Sequence, residues 1–246
     1  MIDSVNSTMA DRTADLTMSL SAHTPSGTVT GTGSGAIDFS RNALQLQLNA
    51  GEANQQIQMQ MVYAGGSIYE NIPGIDEIVP GKTWVSFDLS SLGASANQGP
   101  GALGTGNNPA AMLRLLAQQG NTVVALGSST VDGVSVQGYS VTLNSAAIKS
   151  QLANAKLPSW MTSALKDVNI HETNLKVYVD GAGFLRRMSL SITENVASAG
   201  ATTVDESLDF SNYGTAVNVS TPPSDQTVGL QQFLQAAEAA QGNAAS

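Results

Sequence analysis

The chain has 246 residues, of which 10 are Lys or Arg, 19 are Asp or Glu and none is Cys, for a formal net charge of −9. The missing cysteine excludes disulfides, thiolate catalysis and cysteine-based zinc or iron–sulfur sites. The acidic balance disfavours a duplex nucleic-acid partner, and no polybasic patch is present for an anionic membrane surface.

Charged residues make up only 12% of the chain, so neutral polar groups must wet most of its surface, a tendency of secreted and envelope proteins. No run of ~18 apolar residues occurs that would span a bilayer. The length suits one large all-β or α+β domain, and no convincing linker divides it. Met1-Ile2-Asp3-Ser4 has neither the basic nor the apolar region of a secretory leader.

Ile2, Val5 and Met9 recur at helical spacing, and Asp11, Arg12 and Asp15 close that short amphipathic pattern. From Leu16 the period changes to two, with Leu16, Met18, Leu20 and Ala22 alternating with Thr17, Ser19, Ser21 and His23. Two weaker strands are predicted at 28–32 and 35–40, and Arg41-Asn42 turns the chain into Leu44, Leu46 and Leu48. The clearest alternation follows, Ile57, Met59, Met61 and Tyr63 against Gln56, Gln58 and Gln60. Ala64 to Ser67 reverses the chain into a short strand at 67–70. After a Pro/Gly-rich loop at 72–81, Val85, Phe87 and Leu89 share one face of a further strand. The first half therefore reads as an antiparallel meander.

Residues 93–107 read as a loop. Asn108-Pro109 then caps a helix with Met112, Leu113, Leu115 and Leu116 on its apolar face. Strands return at 122–126, 129–131 and 134–143, the last two joined by Asp132-Gly133. Two helices follow, one carrying Ile148 and Leu152, the other running from Pro158 with Trp160 and Met161. Leu175 to Ile192 is a β-hairpin: Leu175, Val177 and Val179 alternate with polar residues, as do Met188, Leu190 and Ile192, and Asp180 to Gly183 supplies the turn. Val204, Leu208 and Phe210 mark another strand, 216–220 one more, and Val228 to Leu234 a last short helix. The Ala/Gln/Asn tail beyond has little to bury and is expected to be disordered.

No catalytic motif stands up. Gly31, Gly33 and Gly35 have the wrong spacing for a dinucleotide fingerprint and read as a turn or bulge. Ser163 and Lys166 match Ser-x-x-Lys without its companion elements, so an exposed helix face is the better reading. His23 and His171 lack ligand spacing and read as a solvated strand residue and a loop residue, leaving no metal site. Asp76, Glu77, Asp205, Glu206 and Asp209 read as solvated charges and not as a glycosidase pair. Arg186-Arg187 is either a guanidinium fork for a lipid phosphate or a strand-end pair kept for solubility.

The methionines are more informative. Met18, Met59, Met61, Met112, Met161 and Met188 are spread over strands and helices, and Met is flexible enough to line a cavity for varied acyl chains. A plain sheet-on-helix core is the alternative. Each buried methylene contributes about 0.8 kcal/mol, so an acyl site needs no polar motif.

Val131-Asp132-Gly133-Val134 with Tyr139 to Leu143, then Lys176 to Arg187, Asp209-Phe210-Ser211-Asn212-Tyr213-Gly214 and Pro222-Pro223, in that order and spacing, resemble the LppX/LprG type of actinobacterial envelope lipoproteins. The resemblance implies an α+β fold, as in the LolA/LolB carriers: a strongly curved antiparallel β-sheet, or half-barrel, with helices packed on its concave face and a hydrophobic cavity between. It implies a single lipid-binding domain over 1–234 and a monomeric, non-enzymatic protein that takes no cofactor. Its partners would be acyl chains of lipids or lipoglycans in transit across the envelope, not nucleic acid. It further implies export to the outer face of the cytoplasmic membrane, with an N-terminal lipid anchor on a cysteine that this sequence lacks. The expected lining is Met18, Leu20, Ile57, Met59, Met61, Tyr63, Val85, Phe87, Met112, Leu116, Val177, Val179, Met188 and Leu190. An envelope scaffold with a closed core is the competing reading, and a hydrolase a distant third.

Overall fold

The computed structural model describes residues 13–25, 27–52, 55–88, 122–142, 169–196 and 200–244. Six strands come first: β1 (Thr13–Thr24), β2 (Gly27–Asp38), β3 (Ala43–Glu52), β4 (Gln55–Ala64), β5 (Ser67–Asn71) and β6 (Trp84–Asp88). Five more follow: β7 (Thr122–Val131), β8 (Val134–Thr142), β9 (Asn169–Asp180), β10 (Leu185–Val196) and β11 (Gly200–Ser211). A three-residue strand, β12 (Thr227–Gly229), completes the sheet, and the described helices are α1 (Ile75–Ile78) and α2 (Leu230–Ala244).

All twelve strands form one curved, unclosed sheet in the order β12-β6-β5-β4-β3-β2-β1-β11-β10-β9-β8-β7. Two meanders, β1 to β6 and β7 to β11, are joined side by side where β1 pairs with β11. Every pairing is antiparallel except β12 on β6, which is parallel. Tight turns follow from local chemistry: Gly65-Gly66 and Asp132-Gly133 all take positive φ, as two-residue hairpin turns with the right twist require.

Period two puts one row of side chains on each face, and the apolar rows meet in a core that runs from β1 to β5 and from β8 to β11. Leu16, Ile37, Leu44, Val141, Leu175, Val177, Leu185 and Met188 are all but sealed from solvent. A smaller cluster of Ile75, Val85 and Val228, with Leu230 and Phe233 against it, seats α1 and α2 at the β6/β12 edge. The opposite face is almost uncharged over β1 to β4. Thr17, Ser19 and Ser21 stand opposite Ser34, Thr32 and Thr30, and Gln47 and Asn49 opposite Gln60 and Gln58.

Several elements differ from the sequence expectation. Residues 28–40 do not make two weak strands with a turn or bulge at the glycines. Gly31, Gly33 and Gly35 lie inside β2, which keeps unbroken register with both neighbours. They sit on the apolar face between Leu20, Met18 and Leu16 of β1 and Ala50, Leu48 and Leu46 of β3. Lacking side chains, they let those flanking residues close over the strand. Residues 122–131 form one strand, kinked by a register shift between Ala125 and Gly127. The 216–220 stretch has no strand structure, Thr227–Gly229 is strand where a helix start was expected, and α2 runs on through Ala244, beyond the expected end of order at Leu234. His171 lies in β9 and not in a loop. The predicted helices carrying Met112 and Leu116, Ile148 and Leu152, and Trp160 and Met161 fall outside the described residues, as do Ile2, Val5 and Met9 and Ser163 with Lys166, while Asp15, expected to close the N-terminal helix, lies in β1.

Candidate functional site: the apolar face of the sheet

Cross-strand register assembles the expected lining residues into transverse rows. One row runs Ala14, Ile37, Leu44, Tyr63, Ile68, Phe87. The next runs Phe210, Leu16, Gly35, Leu46, Met61, Glu70, Val85, Val228. A third runs Tyr139, Val177, Met188, Leu208, Met18, Gly33, Leu48, Met59, and a fourth Val141, Leu175, Leu190, Glu206, Leu20, Gly31, Ala50, Ile57. The sheet thus brings Met18, Met59, Val177 and Met188 into one row and Leu20, Ile57 and Leu190 into the neighbouring one. Met61 and Val85 share a row, and so do Tyr63 and Phe87. Val85 nevertheless packs in the small α1/α2 cluster, whereas Phe87 packs against the main core.

Burial changes across these rows. Met61 and Tyr63 are sealed at the inner end of β4, Met59 is half-buried, and Ile57 is 53% exposed. Leu20 and Leu48 are likewise only partly buried against the core. On the other arm Val177, Val179, Met188 and Leu190 are buried. The face is therefore packed shut at one end and offers apolar surface at the other, along β1, β3 and β4.

Two carboxylates interrupt this face, and for one of them, Glu206, the sequence predicts a solvated charge. Glu206 stands between Leu20 of β1 and Leu190 of β10. Its Oε1 is buried with no hydrogen-bond partner among the described residues. Burial pushes its carboxyl up to about 7. Glu70 lies between Met61 and Val85 in register, and loss of hydration raises it too, although the residue keeps substantial exposure. The signal was present in the alternation: Val204, Glu206, Leu208 and Phe210 share parity, as do Ile68 and Glu70.

The arginines are engaged. Arg187 pairs with Asp209, so Asp209 is not simply solvated either. Arg186 donates from Nε to Asp180 Oδ2 at 2.7 Å, and its guanidinium lies over the Phe184 and Tyr213 rings at 5.8 and 5.5 Å. Asp180 Oδ1 also accepts from the backbone N–H groups of Ala182 and Phe184, which fixes the hairpin turn. Tyr213 donates its hydroxyl to the Leu185 carbonyl, and burial holds its phenol protonated well above the usual range. Both guanidiniums thus serve the hairpin and its neighbour strand, a third role beside the two weighed from sequence.

A groove of about 520 Å³ runs over β1, β11, β10 and β9, lined mostly by residues of the polar face and also by Leu20, Leu190 and Glu206. Ser19, Ser21, Ser189, Ser207, Lys176 and Asp205 are among its walls. The His23 ring contacts the Ser21 and Thr28 hydroxyls at an exposed strand end. Among the described residues, no three His, Asp or Glu side chains gather as a metal site, and no helix is long and apolar enough to cross a membrane.

No family model matches the chain, and no curated protein matches it significantly. Among solved structures it is similar to the Mycobacterium tuberculosis lipoprotein LppX, at 14% identity over 89% of this chain and 96% of that one, with a TM-score of 0.48. It is also similar to a DUF1329 family protein from Desulfovibrio piger, at 10% identity over 89% and 93% of the two chains and a TM-score of 0.28. A Vibrio parahaemolyticus domain of outer membrane lipoprotein-sorting type matches at 9% identity over 88% and 93%, with a TM-score of 0.29.

Proposed function

We propose that this chain is a non-enzymatic carrier of lipids or lipoglycans in the cell envelope, holding acyl chains against the apolar face of its curved sheet. The observation that supports it is the graded face: along β1, β3 and β4 the sealed positions at Leu16, Leu44 and Met61 give way to open apolar surface at Leu20, Leu48, Met59 and Ile57. An acyl chain lying there gains about 0.8 kcal/mol per methylene removed from water, without a polar motif. On this reading the protein works as an exported monomer of the cell envelope.

The test is mass spectrometry of the purified protein, native and after solvent extraction, together with uptake of a fluorescent acyl lipid from vesicles. Co-purifying lipid and saturable uptake are expected. Protein that is empty as isolated and takes up no acyl probe would instead match the scaffold reading, which the nearly complete burial of Val141, Leu175 and Val177 favours.

A further inference from the structure

We propose that the Glu206 side chain is the polar anchor of the acyl-binding face, where its neutral carboxyl donates a hydrogen bond to an ester carbonyl oxygen of the bound lipid. The inference rests on the carrier reading above and names the one polar contact within it.

A carboxyl group in the middle of an apolar row is costly to keep unless something there uses it. Leu20 and Leu190 flank Glu206 across the two neighbouring strands, and Leu208 and Val204 flank it along β11, so no side chain in register with it offers a donor or acceptor. Its Oε1 is buried and has no hydrogen-bond partner among the described residues. A replacement of Glu206 by Leu would continue the apolar row without interruption, so packing does not call for an acid at this position. The adjoining surface at Leu20 and Leu48 is the partly exposed part of the face, so a chain lying there passes the carboxyl.

Among the described residues, the charged groups around the site are few. Asp205 and Lys176 belong to the opposite face of the sheet. At register positions on the same face stand Glu194, paired with Thr202 further along β10, and Glu70 on β5. Arg186, the described cation on this side of β10, lies at the start of that strand and is tied to Asp180, and burial alone acts on the Glu206 carboxyl, so no described group stabilises the ionised form. The neutral acid therefore persists to about pH 7, and the group changes from donor to anion near neutrality. An anion cannot donate to a carbonyl, and it repels the oxygen that the acid had bound. Lipid is held in the acid form and released in the ionised form.

The experiment measures transfer of a pyrene-labelled diacylglycerol, which has no titrating group, from phosphatidylcholine vesicles to the intact chain. Wild type, Glu206→Gln and Glu206→Leu are compared at about pH 6 and about pH 8. Wild-type affinity is expected to fall about tenfold between them, as one proton bound with the ligand requires. Glu206→Gln keeps a donor and should bind similarly at both values. Glu206→Leu should bind several-fold more weakly than wild type at the lower pH, and equally at both. Binding by all three proteins with the same affinity and no pH response would overturn the anchor while leaving the carrier intact. No transfer to wild type at either pH, with the fold intact by circular dichroism, would overturn the carrier reading and the anchor with it.

Discussion

The Arg187 guanidinium grips the Asp209 carboxylate with two parallel hydrogen bonds, Nε to Oδ1 at 2.5 Å and Nη2 to Oδ2 at 2.7 Å. The two residues are directly opposed on β10 and β11, on the polar face of the sheet, so the fork matches the carboxylate without strain. The bond to Asp209 holds the guanidinium proton above its ordinary range, against the partial burial that works the other way. Asp209→Asn should lower stability by about 1–2 kcal/mol, and Arg187→Lys by nearly as much, because an ammonium cannot reproduce the fork. Urea unfolding midpoints check this. A Lys variant as stable as wild type would reduce the contact to a simple charge pair.

The glycine row of β2 predicts a graded series. A methyl group at Gly35 would lie 1.9 Å from the Gln45 carbonyl oxygen, backbone that cannot move aside cheaply. At Gly33 it would meet the Gln47 oxygen at 3.0 Å, and at Gly31 the Ala50 Cβ at 3.2 Å. Gly35→Ala should therefore cost more than about 3 kcal/mol or prevent folding, with Gly33→Ala intermediate and Gly31→Ala mild. Thermal unfolding of the three variants gives the order. Equal effects would mean that only backbone entropy, and not close approach, sets the need for glycine.

Glu206 makes stability depend on pH in the direction opposite to an ion-paired acid. Below its unfolded value of 4.5 both states hold the proton and the group is neutral in the balance. As pH rises from there to about 7 the unfolded chain releases a proton that the folded chain keeps, so stability falls through that window and stays lower above it. Asp38 acts oppositely: burial pushes its carboxyl up, but the Ser40 hydroxyl and the Arg41 N–H and charge together hold it low. Its contribution is present at neutral pH and is lost in acid. The Glu206→Gln variant should thus gain on the order of 2 kcal/mol over wild type between about pH 4 and about pH 8. A difference that stays flat with pH would show that Glu206 is solvated in the free protein.

The Leu175 to Ile192 hairpin was legible because two independent signals, strict alternation and the Asp180 to Gly183 turn chemistry, agree on the same register. The glycines of β2 were not, because a glycine needed for close approach and a glycine needed for a turn look identical without knowledge of what packs above them. The 216–220 alternation proposes a strand, but a strand also needs a free neighbouring edge. The chain instead gives three residues, Thr227–Gly229, to the edge of β6, a length below any periodic signal. The acidic residues show the same limit at the candidate site. Parity places Glu206 among Val204, Leu208 and Phe210, but an acidic side chain in a strand is most often solvated, so parity alone does not mark it as buried. Only the cross-strand register, with Leu on either side, shows that the carboxyl interrupts an apolar row.

The burial gradient along β4 separates a binding surface from a core. Met61 is 8% exposed and belongs to the sealed cluster, while Ile57, four residues away on the same face, is 53% exposed. An arginine at Met61 would bury an unpaired charge, so Met61→Arg should cost more than about 3 kcal/mol and unfold much of the population. At Ile57 the guanidinium can stay in water, so Ile57→Arg should change stability by less than about 0.5 kcal/mol. It would nonetheless place a hydrated charge where an acyl chain is proposed to lie, and uptake of a fluorescent acyl lipid should drop several-fold. The same substitution at Met59, half-buried between them, should show both effects in part. If Ile57→Arg binds the probe as well as wild type while Met59→Arg does not, the acyl chain ends short of the β4 tip, and the open apolar surface there is not part of the site.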